Sequence, residues 1–371
     1  MTNPLEGVYP AIEGAENELG ERIEGVGGKA QERRKPFIIV DALDHTMEGA
    51  LARYLDIKIH HYVNDEAYKE IVVVGAYDRA CAITNNEKNG KMFNWQRPSA
   101  VLAGETLVVK CPTGYDYVSH YASLIGTYLA LQNRDYTCVS YVPPSEEECW
   151  SVIVDSNLKD INPSEFVVYG SGMPRIAHET DWPGEGPFRA TQKRVGGREI
   201  TFLGCEFCVW GDIAGRLVTY LAKEKGVKQF IYIGKLGTLN PRYEPNSFLA
   251  TGNTSILDGG KVVWDDIFDG LEDEVVKRGV HFTSPSPLLE TKGWLAAHRA
   301  YDYVDPEIGH MGRAAVNASI QYGYMHVMSN NLSRICQEDL SNERQPRTTN
   351  KRTILKDKIR SFLESGLPRN R

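Results

Sequence analysis

The sequence predicts an α/β fold, and three observations lead to this prediction. Short apolar runs alternate with segments of helical periodicity along most of the 371 residues. Some of the apolar runs end in glycine-containing turns, which is typical of strand ends. The composition, 42% hydrophobic and 25% charged, is sufficient for a sizeable core. Alternating strands and helices around such a core are typical of sheets covered by helices.

The N-terminal half contains the first of these alternations. The order strand, helix, strand after residue 106 indicates a βαβ unit, and Pro143 and Pro144 end it. Ser145 then caps a helix that extends to roughly Asn157, because three glutamates follow and favour its positive end. Strands are predicted at 37–40, 71–75, 107–110 and 136–141, and a helix is predicted at 117–133.

The alternation restarts at Glu165, after a polar turn that is the best candidate domain boundary. Three regions are therefore predicted: a partly ordered arm at 1–35, an additional α/β domain at 36–162, and a second domain at 163–371. In the second domain, strands are predicted at 166–169, 200–204, 229–233 and 325–328, an extended segment at 248–253, and helices at 212–225, 264–278, 309–318 and 354–365.

Composition also limits the classes of partner. The formal net charge is −7 and the Lys and Arg residues are scattered, which argues against broad nucleic-acid binding. No apolar run approaches the roughly 18 residues of a membrane span, and the N-terminal region lacks the apolar core of a signal peptide. The seven cysteines have no framework spacing, so we expect reduced thiols in a cytoplasmic protein.

The segment from Val304 to Arg344 gives the first indication of a ligand. An acidic turn with Asp305 and Glu307 precedes a helix of small residues, and a later apolar strand ends near Asn330. In α/β sheets, ligands bind outside the carboxyl ends of strands. We therefore expect a carboxylate suited to sugar hydroxyls and an amide suited to a base to face one cleft.

Four sequence pieces, in matching order and spacing, resemble the nucleoside phosphorylase and nucleosidase superfamily in its hexameric purine and uridine phosphorylase branch. They are TQKRVGGREITFLG, GVKQFIYIGKLGTL, VDPEIGHMGRAA and MSNNLSRICQEDLSNER. The resemblance covers about residues 165–366. It implies a three-layer αβα nucleoside-phosphorylase-like domain, next to which the first α/β domain is an addition. It also implies a homo-oligomer that cleaves an N-glycosidic bond with phosphate or water, without metal or cofactor.

The resemblance assigns roles to three residues of this segment. Glu307 matches the glutamate that binds ribose, although a helix-start glutamate favoured by the helix dipole is the structural alternative. Asn330 matches a position that is usually aspartate in purine-cleaving relatives, where the acid protonates the departing base. An amide cannot transfer a proton, so Asn330 can only recognise a base by hydrogen bonds. Arg344 matches an arginine near that acid, and Asn330 with Arg344 forms the expected catalytic pair.

The resemblance also indicates a phosphate or anion site and a base contact. Gly234 and Lys235 stand in the glycine-rich turn, where relatives have a small hydroxyl residue, and Lys235 either supplies a charge or fills the site. Arg175 resembles the arginine of the family's phosphate loop. Phe282 stands where relatives contact the base, or it is a core residue.

These assignments leave three functions open. The first is phosphorolysis or hydrolysis of a nucleoside with a 6-oxopurine or unusual base, with phosphate as the candidate co-substrate. The second is a diverged nucleoside or nucleotide binding protein, which the missing acid and the altered glycine turn favour. The third is another transfer reaction on a ribosylated substrate. Cys205 and Cys208 have metal-site spacing, but no second pair accompanies them, so free thiols are expected.

Overall fold

The computed structural model describes residues 32–65, 68–88 and 90–365. Almost all of the arm predicted at 1–35 therefore lies outside the described residues. Within the described part of the chain, no helix is both long enough and apolar enough to cross a membrane.

The first domain is built on a five-stranded sheet with the strand order β2-β3-β4-β1-β5. Both β4 and β5 pair in parallel with β1, and the helix α2 connects them, which confirms the predicted βαβ unit. The predicted strand at 37–40 is wrong, because this segment pairs with no strand. It lies against the helix α2 instead, where the Ile39 N–H donates to Thr127 Oγ1 at 3.1 Å. The elements are α1 (Ala50–Asp56), β1 (Glu70–Val74), β2 (Ala82–Ile83), β3 (Ser99–Ala103), β4 (Thr106–Lys110), α2 (Tyr115–Leu131) and β5 (Val139–Tyr141).

The helix α3 (Glu146–Val154) connects the two domains. Ser145 caps it as predicted, since its hydroxyl accepts the Glu148 N–H and the Glu148 side chain accepts the Ser145 N–H. Its buried residues Cys149 and Ile153 pack in the core of the second domain. The polypeptide therefore enters the second core before residue 163.

The second domain contains two sheets that continue into each other, because single residues separate β9 from β10 and β17 from β18. Their strand orders are β17-β9-β6-β8-β7 and β13-β12-β15-β16-β10-β18-β11-β14. The strands are β6 (Phe166–Gly170), β7 (Phe188–Val195), β8 (Arg198–Cys205), β9 (Gln229–Ile233), β10 (Lys235–Thr238), β11 (Leu249–Thr251), β12 (Thr254–Leu257), β13 (Gly260–Val263), β14 (Val276–Arg278), β15 (His281–Thr283), β16 (Tyr303–Asp305), β17 (Gln321–Tyr324) and β18 (His326–Asn331). The helices are α4 (Met173–Ile176), α5 (Asp212–Lys225), α6 (Lys292–His298), α7 (Ile308–Ala318) and α8 (Pro346–Ser365).

Helices cover both faces of the five-stranded sheet in the second domain. Val167 of β6 packs in one core cluster with the α5 residue Leu217, whereas the next residue, Val168, packs in another with Leu355 and Ile359 of α8. Neighbouring strand residues point to opposite faces, and apolar residues four apart share one face of a helix. The predicted α/β class is thus confirmed, with helices layered on both sides of this sheet.

The helix predicted at 264–278 is wrong. Its acidic residues instead close turns: Asp266 Oδ1 accepts the Phe268 N–H at 3.0 Å, and Asp273 Oδ1 accepts the Val275 N–H at 3.0 Å. Gly270 between them has a φ of 75°, which a helix excludes. Side-chain bonds of Asp to nearby backbone groups compete with helix formation, and here they prevail.

Candidate functional site

Asp305 is the centre of a buried polar site. It ends β16, is 4% exposed, and begins the turn into α7. Its Oδ1 accepts the backbone N–H groups of Glu307 and Ile308, each at 2.9 Å. The carboxylate thereby satisfies two donors at the start of a helix, where negative charge is favoured.

Two buried imidazoles flank Asp305. His281 Nε2 lies 3.1 Å from Oδ1 and His326 Nε2 lies 3.4 Å from Oδ2. The Gly234 N–H donates to His326 Nδ1 at 3.2 Å, so in the neutral ring the proton is on Nε2, the nitrogen nearer Asp305. Burial alone would raise the pKa of Asp305, but the two imidazoles hold it below its ordinary value. Asp305 is therefore ionised at neutral pH.

The pKa of Glu307 is shifted in the opposite direction. Its side chain is buried near the Asp305 carboxylate and Tyr232. Burial raises the pKa of Glu307 well above its ordinary value, and the charge of Asp305 raises it further. Protonation of Glu307 is thus favoured beside a carboxylate whose ionisation is favoured. Their pKa values are moved in opposite directions, as in many acid and base pairs of enzymes.

Asn330 lies on β18, which is separated from β16 by β10. Gly237 of β10 is paired with both Asn330 and Val304, so Asn330 is one residue step along the sheet from Asp305. Two strand spacings correspond to about 10 Å. β16 and β18 run in opposite directions, so the carboxyl ends do not form the common edge that we expected. The shortness of β16 nevertheless brings both side chains to the same region of the sheet.

The Asn330 amide has one free group. Its Oδ1 accepts the Ser329 hydroxyl at 2.9 Å, whereas its Nδ2 makes no hydrogen bond to any described residue. The side chain is 9% exposed. In this arrangement Asn330 presents a hydrogen-bond donor.

Arg344 is not brought together with Asn330. Its side chain is exposed and donates to the Asn86 carbonyl at 3.3 Å, and no hydrogen bond joins it to Asn330. The preceding residue, Glu343, points inward instead. Glu343 forms ion pairs with Lys235 and, at 3.2 Å, with Arg352. Burial alone would raise the pKa of Glu343, but these two cations lower it well below its ordinary value.

The three expected anion ligands have other contacts. Lys235 pairs with Glu343, and Arg175 donates from Nε to Asp357 on α8 at 2.7 Å. A Cβ on Gly234 would lie 2.6 Å from His326 Nε2, so only glycine fits against this imidazole. Their expected role in anion binding stays a prediction.

Phe282 belongs to an aromatic cluster around α6. Its ring centroid lies 5.6 Å from Trp294, 4.3 Å from His298 and 5.4 Å from Tyr301. These contacts indicate packing, and a contact with a base stays a prediction.

Several residues of the site were not identified from the sequence. They include His281, His326 and Tyr232, which come from separate strands and meet Asp305 and Glu307 only through sheet pairing. Cys205 and Cys208 are free thiols, and burial followed by the charge of Glu307 raises the pKa of Cys208 to about 11. Among the described residues, no group of three His, Cys, Asp or Glu side chains could hold a metal ion.

No protein-family model matches the chain. The protein named Oxidoreductase cns1 of Cordyceps militaris is 24% identical over 260 residues, which are 60% of this chain and 32% of that relative. The chain therefore spans about a third of the length of the curated relative that it matches.

Solved structures similar to the chain include nucleosidases. A 5′-methylthioadenosine/S-adenosyl homocysteine nucleosidase of Campylobacter jejuni aligns over 54% of this chain and 99% of its own, with 11% identity and a TM-score of 0.43. A futalosine hydrolase mutant of Helicobacter pylori aligns over 54% and 96%, with 13% identity and a TM-score of 0.41. These proteins belong to the superfamily that the sequence motifs resemble. At TM-scores below 0.5, such a likeness does not define an activity for this chain.

Proposed function

We propose that the protein cleaves the N-glycosidic bond of a ribosylated base. The observation that supports this most is the buried pair of Asp305 and Glu307, with the imidazoles of His281 and His326 against Asp305. Departure of a base from ribose leaves a transition state with positive charge on the sugar, and a fixed negative charge beside the sugar stabilises it. A carboxyl group accepts hydrogen bonds and, when protonated, also donates one, which suits sugar hydroxyls.

In this proposal Glu307 holds the ribose hydroxyls, and Asp305 keeps its charge near the sugar. The two imidazoles on Asp305 fix its orientation and ionisation. The chain itself therefore supplies both groups that the sugar half of the reaction needs.

Asn330 contacts the base in this proposal. Because its Oδ1 is occupied by Ser329, its free Nδ2 donates to an acceptor on the base, such as O6 or N7 of a 6-oxopurine. This hydrogen bond stabilises the departing base without transferring a proton.

Water is the nucleophile that we favour over phosphate. The two cations expected at a phosphate next to the glycine turn, Lys235 and Arg175, are already paired with Glu343 and Asp357. Freeing the partly buried Lys235 from Glu343 would cost free energy before an anion could bind there.

Binding without cleavage is the second candidate function. The observation that favours it is Asn330 itself, because an amide cannot protonate the leaving base. A bound nucleoside that raises the melting temperature and is recovered intact would indicate this function.

The test is chromatographic detection of free base from inosine, guanosine, adenosine, uridine and methylthioadenosine and their 5′-phosphates, with and without inorganic phosphate. We expect release that does not require phosphate and that falls about 100-fold in Glu307→Ala. Glu272→Ala, at an exposed position, is the matched control and keeps full activity. Absence of release from every compound, under both conditions, would contradict the proposal.

A further inference from the structure

An excess of cations lies where the two domains meet. Among the described residues, the carboxylate that forms ion pairs with these cations is Glu343, and its partners are Lys235 and Arg352. The chain as a whole carries a net charge of −7, so the excess is local. Hydrogen bonds bring the segment of Lys58 to the loop that follows Asn86, because Asn86 Nδ2 donates to the Ile59 carbonyl at 2.6 Å and the Lys88 N–H donates to the Trp95 carbonyl at 3.2 Å. The cations that act on one another here are called the cation cluster: Lys58, Lys88, Lys91 and Arg97 from the first domain and Lys235, Arg352 and Lys356 from the second.

A loop of the first domain carries part of the cation cluster into the second domain. The Asn94 N–H donates to the Cys205 carbonyl at 2.8 Å, and the Trp95 N–H donates to the Glu206 carbonyl at 3.0 Å. Phe93 packs against Gly204, where a Cβ would lie 2.4 Å from its ring. The loop is thus fixed at the end of β8, the strand that leads to Cys208.

Arg97 is the most deeply buried cation that this loop supplies, at 7% exposure. Its guanidinium donates to Asn94 Oδ1 at 3.2 Å and to backbone carbonyls, and it makes no ion pair with a described carboxylate. A buried guanidinium without a counter-charge is costly, and its planar donors suit the oxygens of a phosphoryl group.

Lys58 and Lys88 also have no carboxylate within ion-pair distance among the described residues. The ammonium of Lys58 lies 5.2 Å from the centre of the Tyr54 ring. Burial lowers the pKa of Lys58 to about 8, and neighbouring Arg97 lowers it as well, although Glu343 opposes the shift. Burial lowers the pKa of Lys88 well below its ordinary value, and Lys58 adds to this.

The loop that carries these cations and the sugar site lie at neighbouring strand ends. Leu203 of β8 pairs with Tyr169 of β6, and Tyr169 pairs with Tyr232 of β9. The ring centroid of Tyr232 lies 4.5 Å from that of His326, whose Nε2 lies 3.4 Å from the Asp305 carboxylate. A ligand that contacts Glu307 with its sugar would extend an anionic substituent towards these cations.

We infer that Lys58, Lys88 and Arg97 bind a phosphoryl group carried by the substrate, which makes the substrate a nucleotide rather than a neutral nucleoside. The inference rests on the proposed function for the position of the sugar. The added first domain then has a definite task, because it supplies all three cations. Inorganic phosphate has the same chemistry as a nucleotide phosphate, and the two sources are separated by experiment.

The experiment is calorimetric titration of the full chain with nucleoside 5′-monophosphates, the matching nucleosides and inorganic phosphate. After each titration, the solution in the calorimeter cell is analysed by chromatography for released base. We expect each monophosphate of an accepted base to bind roughly 10- to 100-fold more tightly than its nucleoside. The advantage decreases with added salt, since the contacts are ionic.

Variants identify the residues. Lys88→Gln and Arg97→Gln remove most of the monophosphate advantage and leave nucleoside affinity within about twofold. Lys261→Gln, exposed on β13, is the matched control and keeps the advantage. If Arg97→Gln does not fold, Lys88→Gln still decides the question, because Lys88 is only half-buried.

Three results would overturn the inference: equal affinity for nucleotide and nucleoside, an advantage that survives in Lys88→Gln, or tighter nucleoside binding caused by inorganic phosphate alone. Base release from nucleosides without any nucleotide advantage would leave the proposed function standing and remove this inference. Tight, Lys88-dependent nucleotide binding without base release would support the phosphoryl site and contradict the proposed cleavage.

Discussion

Replacing Glu307 with glutamine makes the stability of the protein respond differently to pH. A glutamine has nearly the shape of the protonated acid and, like it, offers both a hydrogen-bond donor and an acceptor to the polar groups around position 307. Fold and local contacts are therefore retained. The substitution removes one titrating group, and with it that group's contribution to the pH dependence of the free energy of unfolding.

The magnitude follows from proton linkage. In the folded protein Glu307 keeps its proton well above the ordinary pKa of about 4.3, whereas the unfolded chain loses it near that value. The unfolded state therefore binds fewer protons in this window, so wild-type stability falls as pH rises, by about 1.4 kcal/mol per pH unit. Over every pH unit in which only the folded protein keeps this proton, Glu307→Gln gains about 1.4 kcal/mol over the wild type, if no other group changes.

Urea unfolding of both proteins at pH 5, 6 and 7 measures this difference. Glu272→Gln, at the surface, gives curves that follow the wild type. The reasoning would be refuted if the free-energy difference between wild type and Glu307→Gln stayed constant across the pH series. Glu307 would then be ionised in the folded protein.

Three further changes test other parts of the site. Asp305→Asn removes the carboxylate that two buried imidazoles face and lowers the free energy of unfolding by about 1–3 kcal/mol, measured by urea titration; an unchanged free energy would contradict these contacts. Gly234→Ala places a methyl group against His326 and costs roughly 1–3 kcal/mol by the same assay; an unchanged midpoint would show that the imidazole can move. Asn330→Asp introduces an acid and speeds base release from purine substrates at least about tenfold at low pH; an unchanged or lower rate there would place the base elsewhere.

Local periodicity explains what the sequence could predict. The helix at 212–225 and the strand at 229–233 have the predicted bounds, because apolar spacing and a closing Gly226 in the left-handed conformation agree. The segment 264–278 failed because acid and apolar alternation is also compatible with turns closed by aspartates.

In the candidate site too, local sequence patterns predicted some residues and missed those brought together by the fold. Glu307 at a helix start was visible in the sequence, since its neighbours form a recognisable motif. The imidazoles on Asp305 were not, because His281 and His326 reach it only through strand pairing. The cations of Lys88 and Arg97 come from a different domain, and no local pattern indicates that docking.

A crystal structure of Glu307→Gln with a bound nucleoside 5′-monophosphate tests the central claim most directly. We predict ribose hydroxyls within hydrogen-bond distance of the amide at position 307 and a base acceptor at Asn330 Nδ2. The phosphoryl group is predicted to lie against Arg97 and Lys88. A ribose bound away from position 307, with Asp305 and its imidazoles unchanged, would contradict the account.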